Sequence, residues 1–274
     1  MTWLQALISG IIQGLTEFLP VSSSGHLIIF NTLFGEGEGG GLAFSVFLHL
    51  ATLLAVFICF WKDIRALVRA LWLMLWDLVR GKPDFKTPER RFLIMMFIAT
   101  LPATAAGALI KLLHLDSVLE NILVVAAMLL VTAAFMFLID RLNGVYTEKD
   151  APYRIPLLVG CLQAVAILPG LSRSGSTIFA GVLGGFKKEF AIKFAFIISI
   201  SAISGAAMLE GYDILRSGEL AIDPVNWLIG FAAAAVCGVL AIKLIRMLIK
   251  NNKFWVFGVY CVLASGVAFY AALR

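Results

Sequence analysis

GIIQGLTEFLPVSSSGHLII, residues 10–29, and GCLQAVAILPGLSRSGSTIF, residues 160–179, are one pattern written twice. At a fixed offset of 150 residues and without gaps, Gly10 falls on Gly160, Gln13 on Gln163, Ser22 on Ser172, Ser24 on Ser174 and Gly25 on Gly175. The match resumes at Phe44 and Phe194, each followed by a long apolar segment. A polar serine–glycine turn duplicated inside apolar sequence predicts a site built where two repeats meet. The positions that break the symmetry carry the chemistry: Glu17 faces Ile167, Ser23 faces Arg173, and His26 faces Ser176.

The sequence around these turns is that of a membrane protein. Of 274 residues, 61% are hydrophobic and 14% charged, and the mean hydropathy is +0.96. Soluble domains lie near 45–50% apolar and about 25% charged. The net charge of +5 does not call for nucleic acid, because the basic residues fall in loops between apolar segments. Cys59, Cys161, Cys237 and Cys261 all sit in apolar stretches without CxxC spacing. They read as small hydrophobes, not as disulfide or zinc partners. The first apolar stretch lacks a basic n-region and a small-residue cleavage site, so it does not read as a cleaved signal peptide.

Six segments reach the roughly 20 residues needed to cross a bilayer. They are 42–61, 91–110, 118–140, 190–209, 225–246 and 254–272. Two further apolar regions are interrupted. Residues 3–19 stop at Pro20 and resume as 25–34, and residues 155–168 stop at Pro169 and resume as 175–186. Each predicts a re-entrant helical hairpin, since non-helical backbone at membrane depth is tolerated only where it lines a polar cavity. The expected fold is therefore an all-α integral membrane protein, one membrane domain over 1–274. It has six transmembrane helices plus two re-entrant hairpins, with repeat one at about 1–140 and repeat two at about 151–274. Three crossings per half is an odd number, so the second repeat starts on the opposite side and the repeats are inverted.

Charge sets the orientation. Loop 62–91, region 141–188 apart from Arg173 in the second turn, and the end of the fifth span carry 17 of the 22 basic residues, all on one side in this threading. The other side holds Glu36, Glu38, Asp116, Glu120, Glu210, Asp213, Glu219 and Asp223 against Lys111, Arg216 and Arg274. The positive-inside rule makes the first side cytoplasmic. The Ser22–His26 turn then opens to the exterior, and residues 64–80 read as an interfacial helix on the cytoplasmic face.

Both turns precede a short helix. Free amides and the dipole at a helix N-terminus favour an anion, and the hydroxyls of Ser22, Ser24, Ser172 and Ser174 add donors. The same serines also suit capping alone. Arg173 supplies a planar fork suited to phosphate, or an ion pair with Glu17 that ties the hairpins together. An acid and an arginine at membrane depth each need a partner or a task. His26 lies three residues after Ser23, a nucleophile–base spacing on one helical turn. Either Ser23 or His26 could be the nucleophile. His49 lies near the same depth, as a neighbour of the site or a polar core residue, and His114 falls in an exterior loop.

GLTEFLPVSSSGH (14–26) and PGLSRSGST (169–177) resemble the two signature motifs of the undecaprenyl-diphosphate phosphatases, the bacitracin-resistance proteins, and the resemblance covers nearly the whole chain. It implies an integral membrane hydrolase, whose site, by the charge pattern above, would open to the exterior of the cell membrane. Its reaction is to remove the terminal phosphate of a polyprenyl diphosphate and recycle the lipid carrier of cell-wall synthesis. It implies catalytic roles for Glu17, Ser23, His26 and Arg173, with Ser172, Ser174 and Thr177 around the phosphate; the reading of the two turns adds Ser22, Ser24, Gly25 and Gly175 to that phosphate site. A divalent cation, Mg²⁺ or Ca²⁺, is implied as well, held by Glu17. Where the family often has a second acid one turn earlier, this chain has Gln13, whose oxygen can still face a metal. The partners implied are the lipid substrate and the bilayer, with a homodimer left open and no nucleic acid. Inverted hairpins also suit a transporter of a lipid phosphate or small anion. Phosphate release separates the two.

Overall fold

The computed structural model describes residues 1–34, 41–82, 84–113, 121–217, 224–249 and 252–273. Glu36, Glu38, His114, Asp116, Glu120, Glu219, Asp223, Lys250 and Arg274 lie outside the described residues, as does the side chain of Asp213. Among the described residues the fold is entirely helical, with only an isolated bridge between Tyr146 and Phe186.

The first half holds α1 (Trp3–Phe18), α2 (Ser23–Phe34), α3 (Gly41–Cys59), α4 (Trp61–Val79), α5 (Pro88–Leu112) and α6 (Ile122–Ile139). The second holds α7 (Arg154–Val165), α8 (Arg173–Gly184), α9 (Lys188–Ser217), α10 (Pro224–Ile249) and α11 (Trp255–Ala272). Local chemistry marks the starts. Thr2 and Gln5 form a capping box on α1, Thr87 caps α5 with Pro88 in its first turn, and Asn121 caps α6. Each cap satisfies amides that have no intrahelical partner.

Among the described residues, five helices are long and apolar enough to cross a bilayer: α5, α6, α9 through Tyr212, α10 and α11. The pair Ala43–Cys59 and Trp61–Val79 makes a sixth only if taken together, and it bends by 88° at the break. The chain is thus a multi-pass membrane protein with five such helices, or six with the bent pair. The span expected over 42–61 stops at Cys59, where the chain turns sharply into α4 with Trp72, Trp76 and Val79 exposed.

The short helices start earlier than expected. The second arms begin at Ser23 and Arg173, not at residues 25 and 175, because Ser22 and Ser172 act as caps: their hydroxyls accept the amides of Gly25 and Gly175 at 3.3 and 3.1 Å. α2 and α8 therefore begin at the same repeat position, and the serines and arginine expected in the turns form a first helical turn.

The halves pack by exchange. α1 lies on α10, and its repeat counterpart α7 lies on α5; α3 meets α9, and α6 meets α11. The duplicated glycines explain the first two contacts. A Cβ on Gly10 would run into the carbonyl oxygen of Gly230, and one on Gly160 would stand 2.6 Å from that of Ala99. Only hydrogen lets the helix backbones approach that closely. At the centre the turns touch reciprocally: Gly25 abuts Gly170, and Gly175 abuts Pro20.

The basic loops gather at one end. Arg90 of α5 pairs with Asp77 of α4, and Arg91 donates to the carbonyls of Glu148 and Ala151. Lys193 pairs with Asp63 at 3.0 Å, and Lys188 donates to Asn252 at 2.8 Å. The Asp140 carboxylate accepts the first amides of α11, where a helix dipole favours negative charge. Loop 62–91, region 141–153 and the α10–α11 connection thus share one face.

Candidate active site

Glu17 lies in the last turn of α1, with its side chain 5% exposed. It is the hub of the site. Its Oε1 accepts from Arg173 Nη2 at 3.0 Å. Its Oε2 accepts from the Ser23 hydroxyl at 2.7 Å and from Gln13 Nε2 at 3.0 Å. His49 Nε2 of α3 is 3.8 Å from the same oxygen. One carboxylate therefore joins α1, the first turn of α2 and the first turn of α8. The arginine offsets the charge that burial would otherwise make costly.

Two helix N-termini converge here. Among the described residues no hydrogen bond engages the amides of Ser23 and Ser24 in α2, or of Arg173 and Ser174 in α8, the same pair of repeat positions. Anions are favoured at such ends. Ser22 Oγ and Ser24 Oγ are 3.4 Å apart, and Ser172 Oγ and Ser174 Oγ are 3.1 Å apart. Ser22 sits at φ 71°, a left-handed conformation that is uncommon outside glycine. Its repeat counterpart Ser172 is extended, so the turns differ in backbone as well as sequence. The second turn is pinned by buried Thr132 of α6, whose hydroxyl donates to the Gly170 carbonyl and accepts the Ser172 amide, at 3.1 and 3.0 Å. The first is held by α11, where the Cys261 thiol donates to the Pro20 carbonyl at 3.7 Å.

A cavity of about 470 Å³ opens on this cluster, within the range of small-ligand sites. Glu17, Ser22, Ser23, Ser24, Ser172 and Arg173 line its polar end. It continues between α5 and α9 past Ala103, Gly107 and Ala206 to Lys111 and Glu210. One end is built for an anion and the remainder is largely apolar.

The expected residues divide into two sets. Glu17, Ser23 and Arg173 come together on the cavity wall. His26 does not join Ser23, despite their spacing. Its Nδ1 is 2.7 Å from the Ser22 carbonyl oxygen, its Nε2 is 2.7 Å from the Tyr260 hydroxyl, and the ring stacks on that tyrosine. The imidazole turns back along its own helix toward a carbonyl one turn earlier, which directs it at α11. The amides of Gly25 and Gly175 are taken by the caps. Thr177 donates to the carbonyls of Arg173 and Ser174, within its own helix. Gln13 gives its amide hydrogen to Glu17, leaving its own Oε1 buried without a partner. Thr132, Cys261 and Tyr260 join the site from spans far along the chain, where no local motif marks them.

Comparison with known proteins gives consistent matches over nearly the whole chain. The family model described as bacitracin resistance protein BacA matches residues 6–267. The undecaprenyl-diphosphatase of Methanobrevibacter smithii is 40% identical over 100% of this chain and 99% of its own length. That of Methanosphaera stadtmanae is 38% identical over 95% and 94%, and that of Bacteroides fragilis 38% over 97% of each.

Proposed function

Since the chain belongs to the bacitracin-resistance protein family, we propose that it hydrolyses undecaprenyl diphosphate to the monophosphate and inorganic phosphate. That reaction returns the lipid carrier to cell-wall glycan synthesis and removes the diphosphate form that bacitracin binds. The observation that carries the reading is the Glu17 hub. A serine hydroxyl already donating to a carboxylate, with a guanidinium on that carboxylate's other oxygen and two helix N-termini around them, supplies a nucleophile and its base beside a phosphate site.

The terminal phosphate lies between the amide pairs of α2 and α8, with Arg173 turning part of its fork from Glu17 to the phosphoryl oxygens. Ser23 Oγ attacks that phosphorus and its proton passes to Glu17 Oε2, the acceptor it already holds. The bond from phosphorus to the bridging oxygen breaks and the lipid monophosphate leaves. The leaving monophosphate takes that proton from Glu17; water then gives a proton to Glu17 as it attacks the phosphoserine, and Glu17 passes it to Ser23 Oγ as inorganic phosphate is released. Amide dipoles and Arg173 stabilise the charge on the transferred group. Glu17 thus takes the base role that sequence spacing offered to His26, and His26 with Tyr260 fixes the α2 turn against α11.

The oxygens present suit a divalent cation that arrives with its substrate. Gln13 Oε1 is a spare buried acceptor beside Glu17. Among the described residues no group of three or more His, Cys, Asp or Glu side chains stands ready to hold a metal. Mg²⁺ characteristically binds through one or two carboxylates plus substrate phosphates and water. Glu17 and Gln13 are the residues that would hold it, and it would neutralise phosphoryl charge.

The two halves are inverted repeats, 1–140 and 151–274, each with a re-entrant hairpin and three crossings, α3 counting as one. Exchange packing supports this, because reciprocal contacts such as Gly25 on Gly170 and Gly175 on Pro20 are the mark of a two-fold relation. The basic face is cytoplasmic and the cavity opens to the exterior of the cell membrane.

Purified protein in detergent, given undecaprenyl diphosphate, should release inorganic phosphate, and a chelator should suppress the release. A transporter of lipid phosphate would release none. Glu17→Gln should lower the rate by about 100-fold or more, the range of a lost general base.

A further inference from the structure

Gln163 has no account in the chemistry above. It lies on α7 and lines the cavity, only 3% exposed. Its Oε1 and Nε2 are both buried without a hydrogen-bond partner. Its repeat counterpart Gln13 differs in one respect: one turn further along stands Glu17, which takes its amide hydrogen. One turn beyond Gln163 stands Ile167, which offers nothing. A buried amide left unpaired on both atoms is costly, and an apolar residue of the same shape would avoid that cost. Because Gln163 lines the cavity, a small turn of its amide toward that space is what would bring it a partner.

The surroundings indicate what that partner is. Gly160, one turn earlier on α7, packs against Ala99 and Pro102 of α5, so Gln163 faces the part of the cavity that runs between α5 and α9. Thr100 and Ser201 line that part, with their hydroxyls 2.9 Å apart. Beyond them the walls turn mainly apolar, through Ala103, Gly107 and Ala206, before the rim at Lys111 and Glu210. The cavity thus has a charged end at Glu17, a neutral polar waist at Gln163, and an apolar lane. A lipid diphosphate has the same sequence of parts: terminal phosphate, ester-linked phosphate, prenyl chain. Resting on the hydrolase reading, we propose that Gln163 binds the phosphate that stays on the lipid, its Nε2 donating to a non-bridging oxygen. The two repeat-related glutamines then serve the two phosphates, Gln13 through Glu17 and Gln163 directly.

The test uses Gln163→Leu and, as a second near-isostere, Gln163→Met, with farnesyl diphosphate as substrate and farnesyl monophosphate and inorganic phosphate as inhibitors. Loss of a hydrogen bond to a charged group should raise KM about tenfold and leave kcat near wild type. Inhibition by farnesyl monophosphate should weaken by a similar factor and inhibition by inorganic phosphate should not change. The ligand-free variants should unfold at or above the wild-type temperature. Unchanged KM and monophosphate inhibition would overturn the proposal, as would equal weakening toward both inhibitors. Protection against thermal unfolding by farnesyl monophosphate needs no turnover. If the wild-type protein released no phosphate, the hydrolase reading would fail, while protection lost in both variants would still support the Gln163 subsite and protection retained would overturn it.

Discussion

At the residue scale the pivotal contact is Arg173 with Glu17. It is made through one guanidinium nitrogen, and the arginine side chain is 28% exposed to the cavity. Part of the fork therefore remains for a phosphate. Arg173→Lys keeps the charge but loses the planar fork, so turnover should fall sharply with little change in thermal stability. Arg173→Ala leaves Glu17 buried and unpaired, and should destabilise the protein by about 3 kcal/mol. Adding Glu17→Ala should recover most of that. Rates and unfolding temperatures in one detergent check both, and an active lysine variant would reduce Arg173 to a counter-ion. The His26–Tyr260 contact gives a second prediction. Tyr260→Phe removes one hydrogen bond from the back of the α2 turn, so stability should drop by about 1 kcal/mol, with turnover within a few-fold of wild type. A collapse of turnover at normal stability would return His26 to the reacting groups. The hub was legible because Glu17, Ser23 and Arg173 are the positions where the repeats differ. The direction of the His26 ring was not, because it is decided by a tyrosine 234 residues away.

At the element scale the two glycine contacts do the same work in each half. Gly160 brings α7 onto α5, its missing Cβ replaced by the Ala99 carbonyl. Gly160→Ala forces the helices apart and, through α7, shifts the α8 N-terminus. A loss of about 1–3 kcal/mol, the range of an overpacked core, is expected in detergent unfolding, with turnover reduced further than stability alone explains. The helices themselves were written in the sequence: hydropathy located the five that are long and apolar enough to cross, and the Pro20 and Pro169 breaks located the turns. Their ends were less legible. α2 and α8 start two residues early because Ser22 and Ser172 turn their hydroxyls onto Gly25 and Gly175, and a serine before a helix reads equally as cap or ligand. α3 ends in an 88° bend that hydropathy does not register, since apolar sequence continues through Trp61 into α4. The exchange of α1 onto α10 and α7 onto α5 follows from no local pattern. It becomes intelligible only once Gly10 and Gly160 are seen to face backbone.

At the scale of the molecule, the basic loops form one connected polar face, through Arg91 with Glu148, Lys193 with Asp63 and Lys188 with Asn252. The opposite end carries the far ends of α5 and α9, where the cavity reaches Lys111 and Glu210. If the basic face is cytoplasmic, substrate enters from the exterior. Two single cysteines report this directly, each in a background without Cys59, Cys161, Cys237 and Cys261. Arg216→Cys, exposed near the end of α9, should react with a membrane-impermeant thiol reagent in intact cells. Arg80→Cys, exposed at the end of α4, should react only after lysis. Inversion of both patterns would place the site on the cytoplasmic side. Reaction of both in intact cells would contradict any threading in which α5 and α9 each cross once, because α4 and the end of α9 would then lie on one side. That result would break the inverted repeat as well as its orientation, so the labelling pair tests the topology and the sidedness together.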